Sequence, residues 1–168
     1  MKITLRSAIG ASLLVAFLGS APVSADPVWS MTLPAGLACP DFDLLIEGYG
    51  DGPQVNKLWT DENNNPVRML TAGTGYELVY TNLDTGQTFW SRSNGAVTQE
   101  TYNGDGTVSA TSQGHILLIL FPDDYPPGPS TTLNSGRIVY EYDLTTYVFT
   151  VHKITGKQTD LCAVLSEY

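Results

Sequence analysis

The chain has 168 residues, 17 acidic against eight basic, for a net charge of −9. A surface this acidic repels nucleic acid and anionic membranes, which are held by Lys and Arg neutralising phosphate. No apolar run reaches the roughly 20 residues that a membrane-spanning helix needs, and the length suits one domain with a real core.

The first segment reads as a secretory leader. Lys2 and Arg6 give a positive start, Ala8 to Leu18 an apolar centre, and Val23-Ser24-Ala25 a small-residue cleavage site. Cleavage after Ala25 is expected, leaving a secreted, extracellular chain of 143 residues with no membrane anchor. Losing Lys2, Arg6 and no acid leaves six basic residues against 17 acidic, a net of −11. The acids are spread singly, which reads as a solubilising surface on a monomer.

Residues 26–38 carry two prolines and no clean period, so they read as an N-terminal extension, either packed through Trp29 or loose. A single β domain is expected from residue 39 to 168. Its two cysteines, Cys39 and Cys162, default to a disulfide in an oxidising compartment.

After Cys39 the pattern becomes strands and tight turns. Phe42, Leu44 and Ile46 alternate with Asp41, Asp43 and Glu47. Strands are expected over 54–60, 67–71 and 76–82, then 87–92 and 97–102. Asp84-Thr85-Gly86 and Asn103-Gly104-Asp105-Gly106 read as turns, and Asn94-Gly95 as the strongest hairpin signal, since a type I′ turn needs φ > 0 at both central residues.

Thr107 to Ser112 leads into the centre of the chain, His115 to Phe121, with six consecutive apolar residues between Gly114 and Pro122. Its length and flanks favour a strand buried on both faces. Such burial contributes on the order of 10 kcal/mol gross. Pro122 to Ser135 is the longest connection, expected to be stiffened toward polyproline II by Pro126, Pro127 and Pro129. Two more strands follow, around Ile138 to Tyr142 and Val148 to His152. A short helix is expected over 159–165, with Thr159 as its cap and Asp160 in the first turn.

About ten short strands with turns every 8–12 residues give an all-β fold. The turns are mostly too short for parallel crossovers, which implies an antiparallel meander. Closing it into one small barrel of about 8–10 strands removes exposed edges and brings Cys39 and Cys162 to one rim. The alternative is a two-sheet β-sandwich.

Several stretches together resemble a family of small secreted β-rich proteins of filamentous fungi and actinobacteria. They are T-N-L-D-T-G (81–86), N-G-D-G-T (103–107), G-H-I-L-L-I-L-F-P-D-D-Y-P-P-G-P (114–129), G-R-I-V-Y (136–140) and D-L-C-A-V-L (160–165). The resemblance implies the exported compartment, the disulfide and the single β domain. That family has no assigned activity, so no site residue follows from it.

The candidate chemistry is sparse. The two histidines, His115 and His152, sit at strand ends, and no G-x-S-x-G elbow or free thiol offers a nucleophile. Asp61, Asn63 and Asn65 space like the start of a calcium loop, but Pro66 replaces the needed Gly and Ala72 the closing Glu. Asp105 and the pair Asp123-Asp124 are thinner metal candidates still. No metal or cofactor and no catalytic residue is expected.

Aromatic residues recur on the strands. Trp59 and Tyr147 belong to this set, but Tyr76, Tyr80, Trp90, Tyr140 and Tyr142 are the candidates to line a pocket for a small apolar or sugar-like ligand. The alternative is that they fill the core. Asp123, Asp124 and Tyr125 form a candidate contact surface on the long loop. Three functional readings follow: a non-catalytic binding or interaction protein, a small-ligand carrier, and a secreted hydrolase using acidic residues with His115. The partner is accordingly expected to be a protein, a glycan or a small molecule.

Overall fold

The computed structural model describes residues 26–92 and 95–167. The leader reading of residues 1–25, and Asn94 of the Asn94-Gly95 pair, lie outside the described residues. Strands β1 (Trp29–Leu33) and β2 (Leu44–Tyr49) open the fold. Strands β3 (Val55–Thr60) and β4 (Pro66–Gly73) form a hairpin, and β5 (Glu77–Asn82) and β6 (Thr88–Ser91) a second one. Then β7 (Ala96–Tyr102), β8 (Thr107–Leu120), β9 (Ser130–Asp143) and β10 (Phe149–Asp160) run as a meander into helix α1 (Leu161–Ser166).

These strands make two antiparallel sheets, not one closed barrel, which corrects the barrel expectation and fits the sandwich alternative. The first sheet has the order β1-β2-β5-β6 and the second β10-β9-β8-β7-β4-β3. The reason lies in three connections, β2 to β3, β4 to β5 and β6 to β7, each of which hands the chain to the other sheet. Pairing then joins β2 with β5 and β4 with β7, and both sheets keep free edges. The hairpin expected at Asn94-Gly95 is corrected for the same reason, because β6 and β7 belong to different sheets. Gly95 does take φ +85°, but its carbonyl accepts the His115 amide at 3.1 Å across the bend.

The central apolar run is a strand, the second half of β8, with both faces engaged. Leu117, Ile119 and Phe121 pack on a core shared with the first sheet, built on Leu44, Ile46 and Tyr80. Ile116, Leu118 and Leu120 belong to a second cluster with Ile138, Tyr140 and Phe149. The two-residue side-chain period of a strand divides one oily run between two cores. In β2 the same period buries Leu44 and Ile46, continuing the alternation begun by Phe42, and leaves Leu45 and Glu47 half-buried.

A row of small residues crosses the second sheet. Gly73 pairs with Ala96, Ala96 with Gly114, Gly114 with Gly136 and Gly136 with Gly156. Gly114 and Gly156 hold φ of +117° and +105°, a region that side chains disfavour. A Cβ on Gly136 would overlap the Thr155 carbonyl oxygen of the neighbouring strand. Glycine kinks of this kind let a sheet bend sharply across its strands.

The ends of the domain are tied together. Cys39 and Cys162 form the expected disulfide, with Cα atoms 5.5 Å apart, inside the first core. Helix α1 is capped by Asp160, not Thr159. The Asp160 carboxylate accepts the Ala163 amide at 3.1 Å, and Thr159 stays in β10, paired with Leu133. Asn82 donates from its side-chain amide to the Leu165 carbonyl at 3.0 Å, satisfying an orphan group at the helix end. Residues 29–33, read from sequence as part of an extension, form edge strand β1 on β2.

The long loop is shorter and more tightly held than expected. Strand β9 already begins at Ser130, and residues 122–129 fold back instead of extending. The Gly128 amide reaches the Phe121 carbonyl at 2.8 Å, and Tyr125 pairs through its backbone with Thr150 of β10. The buried Asp124 carboxylate accepts the backbone amides of Phe121 and Phe149, at 2.6 and 2.7 Å, and so pins the loop to β10.

Candidate functional site: a cavity between the sheets

Between residues of the two sheets a cavity of about 350 Å³ opens. Strand β5 supplies Leu78 and Tyr80 to one wall, β6 supplies Ser91, and β1 supplies Trp29. Trp29 is set opposite Gly48, whose missing side chain leaves room for the indole ring. Its ring meets Tyr76 edge to face, with centroids 5.7 Å apart at 82°. The opposite wall comes from the second sheet: Thr71 and Gly73 of β4, Ala96 and Thr98 of β7, and Leu117 and Leu133 of β8 and β9. Gly73 and Ala96 belong to the row of small residues and add no bulk to this wall.

The wall grades from apolar to polar. Tyr80 is fully buried, while Trp29, Tyr76, Leu78, Leu117 and Leu133 are half-buried. Pro53, Thr74, Arg92 and His115 are exposed and mark the mouth. Among the described residues the Tyr80 hydroxyl has no hydrogen-bond partner, and burial pushes its pKa well above the ordinary phenol value. It therefore stays protonated as a neutral group. Arg92 lies with its guanidinium carbon 5.3 Å from the centre of the Trp90 ring, a cation–π contact at the rim. His115 Nε2 stands 3.5 Å from Ser135 Oγ.

The five aromatic candidates do not converge. Tyr76 and Tyr80 line this cavity. Trp90 is half-exposed at 52 % and reaches it only through Arg92. Tyr140 and Tyr142 stack on Phe149, with centroids 5.5 and 5.4 Å away, and Tyr140 lines a second apolar hollow of about 240 Å³. Burial raises both phenol pKa values; at Tyr142 the Glu100 carboxylate, 3.2 Å from the hydroxyl, adds to it. Trp59 lies beneath Lys57 and Arg68, and Tyr147 is exposed.

The polar candidates are turn and loop elements. Asp61 accepts the amides of Asn63 and Asn65 and the Asn65 side chain, which hold its carboxyl below the usual range. Asp105 caps its own turn in the same way through Thr107. Among the described residues no group of three or more His, Cys, Asp or Glu side chains is placed to hold a metal ion. His115 and Asp124 stand at opposite ends of the apolar run, about 20 Å apart along the strand, so the arrangement does not bring them together. Asp123 and Tyr125 are exposed on the pinned loop, and Asp124 is buried beneath it.

Arg92 and the small-residue row escaped the sequence reading, and Trp29 reads from sequence only as a candidate packing residue of the extension, not as part of a cavity wall. Trp29 sits in a stretch without period, between prolines. The row had a visible signal, a lone Gly inside each of the last three strands, which marks a bend or a close approach of backbones. Comparison with family models, with curated proteins and with solved structures gives no match.

Proposed function

We propose that this is a secreted, non-catalytic binding protein that holds a small, largely apolar molecule between its two sheets. The observation that carries the reading is the 350 Å³ cavity with aromatic and aliphatic walls. It falls within the range of roughly 300–1,000 Å³ common for small-ligand sites, lined mainly by apolar side chains with a few polar groups. Half-buried Tyr76 and Trp29 in its wall favour a carrier, while Tyr80 beneath them is fully buried in the core. The cystine buried in the core supports export, as such bridges persist in oxidising compartments. The likeness to small secreted β-rich proteins points the same way.

The test is calorimetric titration with 1-octanol, an unbranched apolar chain with one hydroxyl. Binding is expected in the range of about 1–100 μM. Ser91→Trp, which fills the cavity from edge strand β6, should abolish it while leaving the thermal unfolding transition cooperative. Unchanged affinity in a folded Ser91→Trp protein would remove the cavity as the site. A second reading, contact with a protein or glycan through the loop, rests on Tyr125, 67 % exposed on a loop that Asp124 anchors.

A further inference from the structure

We infer that the ligand of the cavity is an amphipathic carboxylate, its apolar body between the sheets and its anionic head at the mouth beside Arg92 and His115. The inference rests on the binding reading above and names the chemistry of the ligand. Arg92 is one of only eight Lys and Arg residues in a chain with 17 acids, and His115 is one of two histidines. Both line the cavity and are exposed, and none of the described residues lining it is acidic. Asp51 and Glu77 line the neighbouring cleft, which shares Thr74 and Gly75 with the cavity, and they do not enter the cavity wall.

The distribution matters because the chain as a whole repels anions. At physiological ionic strength that repulsion is screened beyond about 8 Å, so the groups at the mouth decide what is held there. Arg carries its charge at every working pH and offers a planar fork that fits a carboxylate through two parallel hydrogen bonds. The guanidinium carbon of Arg92 lies 5.3 Å from the centre of the Trp90 ring. Deeper in, Trp29, Leu78 and Leu117 present a surface for a hydrocarbon or an aromatic body.

The experiment compares octanoate with 1-octanol, which share a chain length and differ in the head group, by calorimetric titration of the whole protein. Octanoate should bind about tenfold tighter, the scale of one charge-assisted hydrogen-bonded pair. Arg92→Gln should erase that preference, bringing the two affinities to within about twofold of each other, and Arg92→Lys should keep part of it. Equal affinities in the native protein, or a preference that survives Arg92→Gln, would overturn the carboxylate assignment. If 1-octanol still binds and Ser91→Trp still blocks it, the cavity reading stands alone. Failure of both probes to bind would take both down.

Discussion

Tyr80 concentrates the physics of this protein in one side chain. It is fully buried in the core that carries the disulfide, packs with its ring centroid 6.2 Å from that of Phe89, and finds no partner for its hydroxyl among the described residues. A buried hydroxyl without a partner loses its hydration and gains nothing in exchange, a cost of roughly 1–3 kcal/mol. Tyr80→Phe should therefore leave the unfolding free energy unchanged or raise it by about 1 kcal/mol in a urea titration. A loss of more than about 1 kcal/mol would mean that the hydroxyl is satisfied in solution. Asp124 is the contrasting case: its carboxylate is also buried, but both oxygens accept backbone amides, and the result is a fixed loop.

Among the elements, the row through Gly114, Gly136 and Gly156 is what shapes the second sheet. Gly136→Ala places a methyl group against the Thr155 carbonyl and the Gly156 Cα, both backbone atoms that cannot step aside alone. It should cost about 2 kcal/mol or more in chemical denaturation, and a neutral result would mean that the strands are not so closely apposed there. Most strands were legible in the sequence because alternation and turn residues act locally. Leu44 and Ile46, the turn at Asn103 to Gly106 and the run from Ile116 to Leu120 each formed what their pattern required. The sheet assignment was not legible. Whether Ser91 continues into a hairpin or crosses to another sheet depends on partners far along the chain, and Asn94-Gly95 carries the same turn chemistry in either case. The site was half legible for the same reason: the pattern singles out Tyr76 and Tyr80 as aromatics, but only the pairing of β5 with β2 and of β4 with β7 brings Trp29, Leu117 and Arg92 to the same opening.

At the scale of the whole molecule, two sheets are held at one end and parted at the other. The Cys39–Cys162 bridge spans 123 residues and sits with α1 in the first core. A closed loop of that length is worth roughly 5 kcal/mol in the chain-entropy view. At the other end, Gly73 and Ala96 leave the bent sheet without bulk opposite Trp29 and Leu78, and the space between them stays open. The closed end holds the sheets in place, and the open end carries the cavity to which the proposed ligand is assigned. The most direct measurement of that claim is a crystal structure of the protein soaked with 1-octanol. Ordered density for the octyl chain is expected between Trp29, Leu78 and Leu133, with no movement of the backbone. Collapse of Trp29 or Leu133 into the space, or ligand density only in the hollow beside Tyr140 and Phe149, would contradict it.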